Sequence, residues 1–146
     1  MTEATKLTAW RLFIENSARI QTELDRRLRP DGLCLSDYQV LLLLYDAPGR
    51  RLRMNDLGHR MVFSASRLSY QVAALCKRGW VRRESAPEDR RGSYAVLTAE
   101  GVAAFEPVAR KHRADVDELF FSAVSDDDAS ALAGTMRALA DHLEKM

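Results

Sequence analysis

The most informative stretch for the fold of this chain is residues 64–101, SASRLSYQVAALCKRGWVRRESAPEDRRGSYAVLTAEG. Their first part, 64–78, has the period of an amphipathic helix, with apolar residues on one face and polar or small residues on the other. Ser64 can cap the start of this helix, and Gly79, which follows two basic residues, can end it. The apolar face consists of Leu68, Val72 and Leu75.

Two short β-rich runs follow the helix, WVRRE (80–84) and SYAVLT (93–98). The residues between them, SAPEDRRG, contain Pro, Gly and two adjacent arginines, which is typical of a loop. The pattern predicts a hairpin with a basic tip. A helix with a partly basic outer face followed by such a hairpin fits a DNA duplex, because the helix can enter the major groove and the hairpin can reach an adjacent minor groove.

The segment 89–101, DRRGSYAVLTAEG, resembles the wing signature of the MarR-type winged helix-turn-helix regulators, D-x-R-x-x-x-V-x-L-T-x-x-G. Ala95 stands where the family prefers Val. Upstream, residues 57–81 resemble the helix, turn and recognition helix of the family, with Met61 at the usual leucine and Val62 where glycine is common. The similarity of pattern extends over nearly the whole chain. The matching wing positions are Asp89, Arg91, Leu97, Thr98 and Gly101.

This resemblance implies a mainly α fold with a small β-wing, in which a winged helix-turn-helix lies between N- and C-terminal dimerisation helices. It implies a single MarR-like domain over residues 1–146, with residues 33–98 as the DNA-binding core. Residues 1–32 and 99–146 are then the dimerisation helices. At 146 residues the chain is long enough to bury the core of one such domain.

The predicted DNA contacts lie on the outer face of the recognition helix and at the tip of the wing. Tyr70 is the informative residue of the helix, since an exposed aromatic side chain beside cations indicates a binding surface. The family resemblance assigns Arg91 to the minor groove, held in position by Asp89, and we expect Arg90 to meet phosphate. The full set of predicted contact residues is Ser64, Ser66, Arg67, Tyr70, Lys77, Asp89, Arg90 and Arg91.

The net charge of the chain is only +1, but the charges are segregated along it. Residues 50–94 contain eleven Lys and Arg against four Asp and Glu, a formal +7, and the other residues contain eleven against seventeen, a formal −6. A positive field over the predicted helix-turn-helix and wing would attract phosphates. A basic surface without a partner is the alternative explanation.

Helices with wide apolar surfaces are predicted at both ends of the chain. Residues 6–28 have an apolar stripe too wide for the small core to cover, and a last helix that Ser125 caps has an apolar seam. Both surfaces predict pairing with a second copy of the chain. The predicted dimerisation residues are Leu7, Ile14, Leu132, Met136, Leu139 and Leu143.

Capping signals place two further helix starts. Ser36 and Gln39 form a capping-box pattern at the start of the second helix. Thr98 can cap a helix that follows the wing and continues to about Val124. Pro107 predicts a kink within that helix.

Other functional classes find little support in the sequence. The chain lacks serine-hydrolase, zinc-protease and phosphate-loop motifs, and His112 with Asp115 lacks a third metal ligand nearby, so we predict no enzyme, no metal and no cofactor. Neither a membrane span nor a secretory signal is evident, so we expect a cytoplasmic protein without a membrane partner. Cys34 and Cys76 have no metal or redox spacing, and a thiol-based redox sensor is a less favoured alternative.

We therefore expect a homodimeric, sequence-specific DNA-binding transcriptional regulator. The resemblance implies a repressor that binds a pseudo-palindromic operator and is released by a small aromatic or phenolic ligand. Trp10, Arg11 and Tyr45 are the predicted ligand-binding residues, at the junction of the dimer helices and the winged core. The runner-up is a winged-helix module whose basic face binds an acidic protein. The sequence leaves open the operator, the regulated genes, the inducer and the sign of regulation.

Overall fold

A computed structural model of the protein describes residues 2–146, apart from the side chains of residues 89–91. The chain forms two compact units, one that extends to Lys111 and one that comprises residues 112–146. The first unit contains the sheet and the helices that pack on it. The elements in chain order are α1 (Glu3–Leu28), α2 (Leu35–Asp46), β1 (Arg51–Arg53), α3 (Met54–Met61), α4 (Ala65–Lys77), β2 (Val81–Ala86), β3 (Asp89–Leu97), α5 (Ala99–Leu119) and α6 (Asp126–Glu144).

The sheet has three antiparallel strands in the order β1-β3-β2. The short β1 pairs with β3 and covers that edge of the hairpin. β2 and β3 are longer than the sequence predicted, so the connection between them is reduced to Pro87 and Glu88. Most of the predicted loop, residues 85–92, is therefore extended strand, because backbone pairing across the hairpin outweighs the local turn signals.

The core of the first unit is built from one face of each helix and one face of the sheet. The predicted apolar face of α4, Leu68, Val72 and Leu75, is buried. Phe105 of α5 is 1% exposed, and its ring centroid lies 5.3 Å from that of Tyr38. Each fully buried Leu, Val or Phe side chain contributes about 1.5–3 kcal/mol through removal of its apolar surface from water. The burial of one face of α4 thereby determines which of its residues point outward.

Hydrogen bonds of Thr98, which lies between β3 and α5, connect the end of α4 to the start of α5. Gly79 ends α4 with φ of +79°, a left-handed conformation that favours glycine. The Thr98 hydroxyl donates to the Gly79 carbonyl oxygen at 2.6 Å and accepts from the Gly101 amide at 2.9 Å. A Cβ atom at Gly101 would collide with the carbonyl oxygen of Trp80. The T-x-x-G part of the wing signature is thus explained by capping and close packing.

The start of α2 differs from the predicted one. Cys34, not Ser36, is the N-cap residue: its sulfur accepts from the Asp37 amide at 3.4 Å. The Asp37 carboxylate in turn accepts from the Cys34 amide at 3.1 Å. Two overlapping patterns compete at this point, C-x-x-D at 34–37 and S-x-x-Q at 36–39. The earlier start wins because a charged carboxylate binds the cap amide more strongly than a neutral side-chain amide does.

The two longest helices also differ in extent from the prediction. α1 begins at Glu3, because Thr2 caps it by accepting a hydrogen bond from an amide of the first turn. α5 ends at Leu119, before the predicted Val124, and a short 3₁₀ turn follows it. α5 continues through Pro107, and the kink expected there stays a prediction.

The turn between α3 and α4 contains a residue in a strained conformation. Val62 has φ of +57° and ψ of +43°, which a β-branched residue rarely adopts. This conformation closes α3, since the Phe63 amide can then donate to the Gly58 carbonyl oxygen at 3.0 Å. The Val62 side chain is 88% exposed, so packing offsets little of the strain.

We predict that Val62→Gly stabilises the fold by about 0.5–1 kcal/mol, because relief of the strain at positive φ exceeds the entropy that glycine adds to the unfolded chain. Thermal or denaturant unfolding measures the change. Ala73→Gly, at an exposed position inside α4, is the matched control and should lower the free energy of unfolding by about 1 kcal/mol. A loss of stability in both variants would contradict the strain at Val62.

Candidate nucleic-acid interface

The outward side of α4 is the candidate DNA-contacting surface, termed here the recognition face. It is formed by Ser66, Arg67, Tyr70 and Lys77, which are all exposed. Tyr70 is 82% exposed, an unusual position for a large aromatic side chain. The structure thus confirms the predicted division of α4 into a buried and an exposed face. Contact of these residues with DNA stays a prediction.

Side-chain contacts hold the start of α4 in place. Ser64 Oγ accepts a hydrogen bond from the Arg67 amide at 3.2 Å, so Ser64 caps the helix as predicted. Ser66 Oγ lies 3.4 Å from Ser64 Oγ. The Arg67 guanidinium lies over the Phe63 ring, with 3.7 Å between Cζ and the ring centroid. This stacking restricts the Arg67 side chain, which reduces the entropy it would lose on binding.

The wing, which consists of β2, β3 and the turn between them, is braced by residues of β1. Glu88 in the turn accepts hydrogen bonds from Arg53 Nη1 at 3.0 Å and from the Tyr94 hydroxyl at 2.6 Å. The guanidinium carbons of Arg51 and Arg53 lie 4.3 and 5.7 Å from the Tyr94 ring centroid. The hydrogen bond from Tyr94 is the main reason that the pKa of Glu88 lies below its ordinary value. This brace ties the turn to the sheet.

Asp89, Arg90 and Arg91 belong to β3 by their backbone, and Asp89 pairs with Ala86 across the hairpin. This pairing places the three residues at the turn end of the strand. Their side chains lie outside the part of the chain that the structure describes. The Asp89–Arg91 pair and the contacts of Arg90 and Arg91 with DNA therefore stay predictions.

Two polar residues that the sequence did not single out connect α4 to the start of α2 and the turn before it. Gln71 Nε2 donates to Asp37 Oδ1 at 2.7 Å and to Ser36 Oγ at 2.9 Å. Arg78 Nη1 donates to the Gly32 carbonyl oxygen at 2.6 Å. Gln71 lies on the flank between the two faces of α4, where a polar residue gives no distinctive sequence signal. Only the proximity of α2 in the folded chain reveals its contacts.

Two open cavities adjoin α4. The larger, about 530 Å³, lies between α1, α2 and the start of α4, and its lining includes Gln21, Gln39 and Arg67. The smaller, about 240 Å³, lies between α3, α4 and the sheet, and its lining includes His59 and Arg83. The larger cavity falls within the usual size range of small-ligand sites.

The residues predicted to bind a ligand, Trp10, Arg11 and Tyr45, line neither of these cavities. Trp10 is 59% exposed on α1, and Arg11 is exposed beside it. Tyr45 is half-buried near the C-terminal end of α2, with its ring centroid 5.0 Å from that of Phe105 and 4.1 Å from the guanidinium carbon of Arg50. Ligand binding by these three residues stays a prediction.

The two thiols have different surroundings. Cys34 Sγ, the cap of α2, also lies 3.2 Å from Ser36 Oγ. Cys76 is half-buried on α4, and this burial raises the pKa of its thiol, with Arg83 acting in the opposite sense. A raised pKa reduces the population of the thiolate, which is the reactive form. The surroundings of Cys76 therefore disfavour it as an oxidant sensor.

Apolar residues are exposed on the helices predicted to dimerise. On α1, Leu7 and Ile14 are both exposed. In α6, all of whose residues the structure describes, none is buried. Ser125 caps α6 as predicted by accepting from the Asp128 amide at 3.1 Å. The predicted seam of α6 consists of the exposed Leu132, Leu139 and Leu143 and the half-buried Met136.

Among the side chains that the structure describes, no group of three or more His, Cys, Asp and Glu could hold a metal ion. None of the helices in residues 2–146 combines the length and the apolarity that a membrane crossing requires.

The chain is similar to known bacterial regulators. A sequence model of the MarR family matches residues 31–92. The transcriptional regulator HosA of Escherichia coli O111:H- is 30% identical over 131 residues, which are 88% of this chain and 88% of HosA. The protein belongs to the MarR family.

Two solved structures from Streptomyces coelicolor share the fold of this MarR-family chain. AbsC, a MarR family transcriptional regulator, superposes with a TM-score of 0.92 at 35% identity, over 100% of this chain and 98% of AbsC. Sco3205, a MarR family transcriptional regulator in complex with DNA, superposes with a TM-score of 0.90 at 37% identity, over 98% of this chain and 90% of Sco3205. These similarities confirm the predicted fold, mainly α with a small β-wing, and the class of transcriptional regulators rather than enzymes.

In this MarR wing, Tyr94→Phe should raise the pKa of Glu88 toward its ordinary value, because the variant loses the hydrogen bond that lowers it most. In the wild type the Glu88 carboxylate persists to lower pH, and the hydrogen bond is lost only as the pH falls through that lowered pKa. NMR titration of the Glu88 carboxyl carbon measures the shift. Arg53→Gln is the control and should raise the pKa less, and a larger rise there would contradict the assignment.

Proposed function

We propose that this MarR-family regulator acts in the cytoplasm as a homodimer that binds a pseudo-palindromic operator through α4 and the wing and represses transcription. The observation that carries the proposal is the recognition face. Tyr70 stands 82% exposed on the same side of α4 as Arg67 and Lys77, while the opposite side is buried. A base or sugar that covers the Tyr70 ring removes its apolar surface from water, and the two cations supply attraction to phosphate and guanine.

The dimensions of α4 fit the major groove. An α-helix with its side chains is about 10–12 Å across, and the groove is about 12 Å wide. The N-terminal end of α4 carries Ser64, Ser66 and Arg67, where the helix dipole and the first backbone amides attract anions. Arg67 can donate two hydrogen bonds to one guanine. Lys77, at the other end of the helix, is proposed to meet phosphate.

The wing is proposed to reach the adjacent minor groove. Arg91 would enter the groove, Asp89 would position it, and Arg90 would meet phosphate. Arginine in a narrow minor groove is favoured by the negative potential there, which is greatest over A·T-rich sequence. The brace through Glu88, which limits movement of the hairpin turn, supports this role. The DNA complex of Sco3205 supports a DNA partner for a chain of this fold.

Dimerisation is proposed to use residues 1–32 and 99–146, with residues 33–98 as the DNA-binding core. The exposed apolar surfaces of α1 and α6 support this division, because a helix gains most of its stability from packing of its apolar face. A second copy of the chain offers matching surfaces. The two-fold axis of the dimer would place two α4 helices in successive major grooves, about one helical turn apart. This arrangement predicts a pseudo-palindromic operator.

We predict that Leu132→Asp or Leu139→Asp yields monomers or insoluble protein, because each variant places an unpaired carboxylate in an apolar interface. Light scattering at micromolar concentration measures the molecular mass. Ser130→Asp, on the opposite side of α6, is the matched control and should remain dimeric. A monomeric mass for the wild type would contradict the proposed dimer.

The test of DNA binding begins with an operator selected from a random pool of duplexes. Arg67→Ala and Tyr70→Ala should each reduce discrimination between the operator and a scrambled duplex by about 1–3 kcal/mol, the usual worth of a base contact. Lys77→Ala should weaken binding to both duplexes alike and flatten the salt dependence by about one charge per subunit. Arg91→Ala should weaken binding most where the flanks are A·T-rich. Titrations of both duplexes across a salt series measure these effects.

The outcomes separate the parts of the proposal. Equal binding of the wild type to both duplexes at physiological salt would reject the specific regulator and favour a module that binds an acidic protein. Unchanged binding by Arg91→Ala would reject the role of the wing and leave that of α4 intact. Unchanged discrimination in both Arg67→Ala and Tyr70→Ala would reject base reading by the recognition face.

Release from DNA by a small aromatic or phenolic ligand is part of the proposal. Trp10, Arg11 and Tyr45 are one proposed site, and the cavity of about 530 Å³ between α1, α2 and α4 is a second. The second site is supported by its lining, which includes Arg67 of the recognition face, so a ligand there would compete with DNA for that side chain. Aromatic carboxylates and phenols can be screened by the shift in melting temperature and by the loss of operator binding. A screen without any shift would count against this part.

A further inference from the structure

Side chains of Gln71 and Arg78 connect the recognition helix α4 to the segment 32–37, which consists of the end of the α1–α2 connection and the first turn of α2. We infer that Gln71 and Arg78 are positioning residues: by binding this segment they fix the orientation of α4, and with it the half-site spacing that the dimer accepts. The inference rests on the proposed function, since it concerns how the recognition face is presented to DNA.

Gln71 supplies the first tie. Its Nε2 donates to Asp37 Oδ1 at 2.7 Å and to Ser36 Oγ at 2.9 Å, both in the first turn of α2. Asp37 Oδ2 at the same time accepts from the Cys34 amide in the capping box. The two oxygens of one carboxylate therefore bind the helix cap and α4. These contacts are partly buried and involve a charged acceptor, and both conditions strengthen a hydrogen bond.

Arg78, directly after α4, supplies the second tie. Its Nη1 donates to the Gly32 carbonyl oxygen at 2.6 Å. The guanidinium also stacks on Trp80, with 3.6 Å between Cζ and the ring centroid, which holds the planar group in one orientation. Gly32 has φ of +75°, and a Cβ atom there would lie 3.1 Å from Arg78 Nη2. Glycine thus permits both the turn and the close approach of the guanidinium.

The hydrogen bonds of Gln71 and Arg78 restrain the position of α4 more than burial of its apolar face does alone. Gln71 and Arg78 are seven residues apart, which is about 10 Å along a helix axis. The hydrophobic effect is non-directional and leaves room for small sliding or rotation of a helix. Hydrogen bonds depend on distance and angle, so two of them at separate points restrain both movement along the axis and rotation about it.

The segment 32–37 is itself connected to α1, and Asp31, directly before it, is connected to α5. Asp25 Oδ1 near the end of α1 accepts from the Leu35 amide at 2.7 Å. Lys111 Nζ of α5 donates to the Arg27 carbonyl oxygen at 2.8 Å and to Asp31 Oδ2 at 2.7 Å. α1 and α5 are among the elements proposed to hold the two subunits together. Polar contacts therefore lead from these helices to the recognition helix.

The half-site spacing that the dimer accepts depends on how firmly each α4 helix is held, so it can be used to test the roles of Gln71 and Arg78. The proposed dimer places two α4 helices about one helical turn, roughly 34 Å, apart on DNA. One inserted base pair moves a half-site by about 3.4 Å and rotates it by about 35°. A dimer whose recognition helices are tied in place should reject this operator, whereas a dimer whose α4 can shift should accept it in part.

The experiment compares Gln71→Leu, which cannot form the hydrogen bonds, with Arg78→Lys, which keeps the charge but loses the planar fork. Arg60→Lys, the same change as at Arg78 but at an exposed arginine of α3, is the matched control. The full-length proteins are titrated with the selected operator, the same operator with one base pair inserted at its centre, and a scrambled duplex. We expect both variants to lower the ratio of affinities for the first two duplexes about five- to tenfold, and the control to leave it unchanged.

An equal weakening on both operators, with an unchanged ratio, would overturn the inference, because a loss of fold stability reduces the binding-competent fraction for every duplex alike. The melting temperature of each variant shows whether it is folded during the titration. Gln71→Asn, whose shorter amide cannot span the same distance, replaces Gln71→Leu if the latter is unfolded. Failure of the proposed function gives a different result, equal binding of the wild type to the operator and the scrambled duplex.

Discussion

The burial of the inner face of α4 is the constraint on which the functional arrangement depends. Leu68, Val72 and Leu75 belong to one apolar cluster with residues of α2, α3 and the sheet. Once these three side chains point inward, the helical period places Tyr70 on the outer side and Arg67 at the edge of that side. The exposure of the aromatic and cationic side chains of the recognition face is therefore a consequence of how the opposite face packs in the core.

Hydrogen bonds, which are directional, then fix the position of the recognition helix relative to the neighbouring elements. At its C-terminal end, Thr98 joins the carbonyl of Gly79 to the first turn of α5, which fixes the end of the wing relative to the end of α4. Along its flank, Gln71 contacts the first turn of α2, and Arg78 contacts the turn that precedes α2. Apolar burial supplies most of the stabilisation and hydrogen bonds supply the geometry, because only the latter depend strongly on angle.

The positive charge of residues 50–94 is less uniform than its formal value of +7 implies. Arg53 is paired with Glu88 at 3.0 Å, and Arg82 is paired with Glu84 at 2.8 Å. Both pairs involve the sheet, where the arginines brace the hairpin or lie along it. The local field of such paired cations is reduced by the adjacent carboxylates. The proposed attraction of DNA therefore relies less on Arg53 and Arg82 than the formal charge of the region implies.

Local patterns in the sequence determined the two faces of α4, its Ser64 cap and the Thr98 cap of α5, since each depends on residues a few positions apart. Where two local patterns overlapped, at Cys34 and Ser36, the charged carboxylate of Asp37 favoured the earlier start, which is also a local effect. The contacts of Gln71 with α2 and of Arg53 with Glu88 join residues about 35 positions apart. No period or spacing in the chain encodes such contacts, because they exist only after the apolar core has brought the segments together.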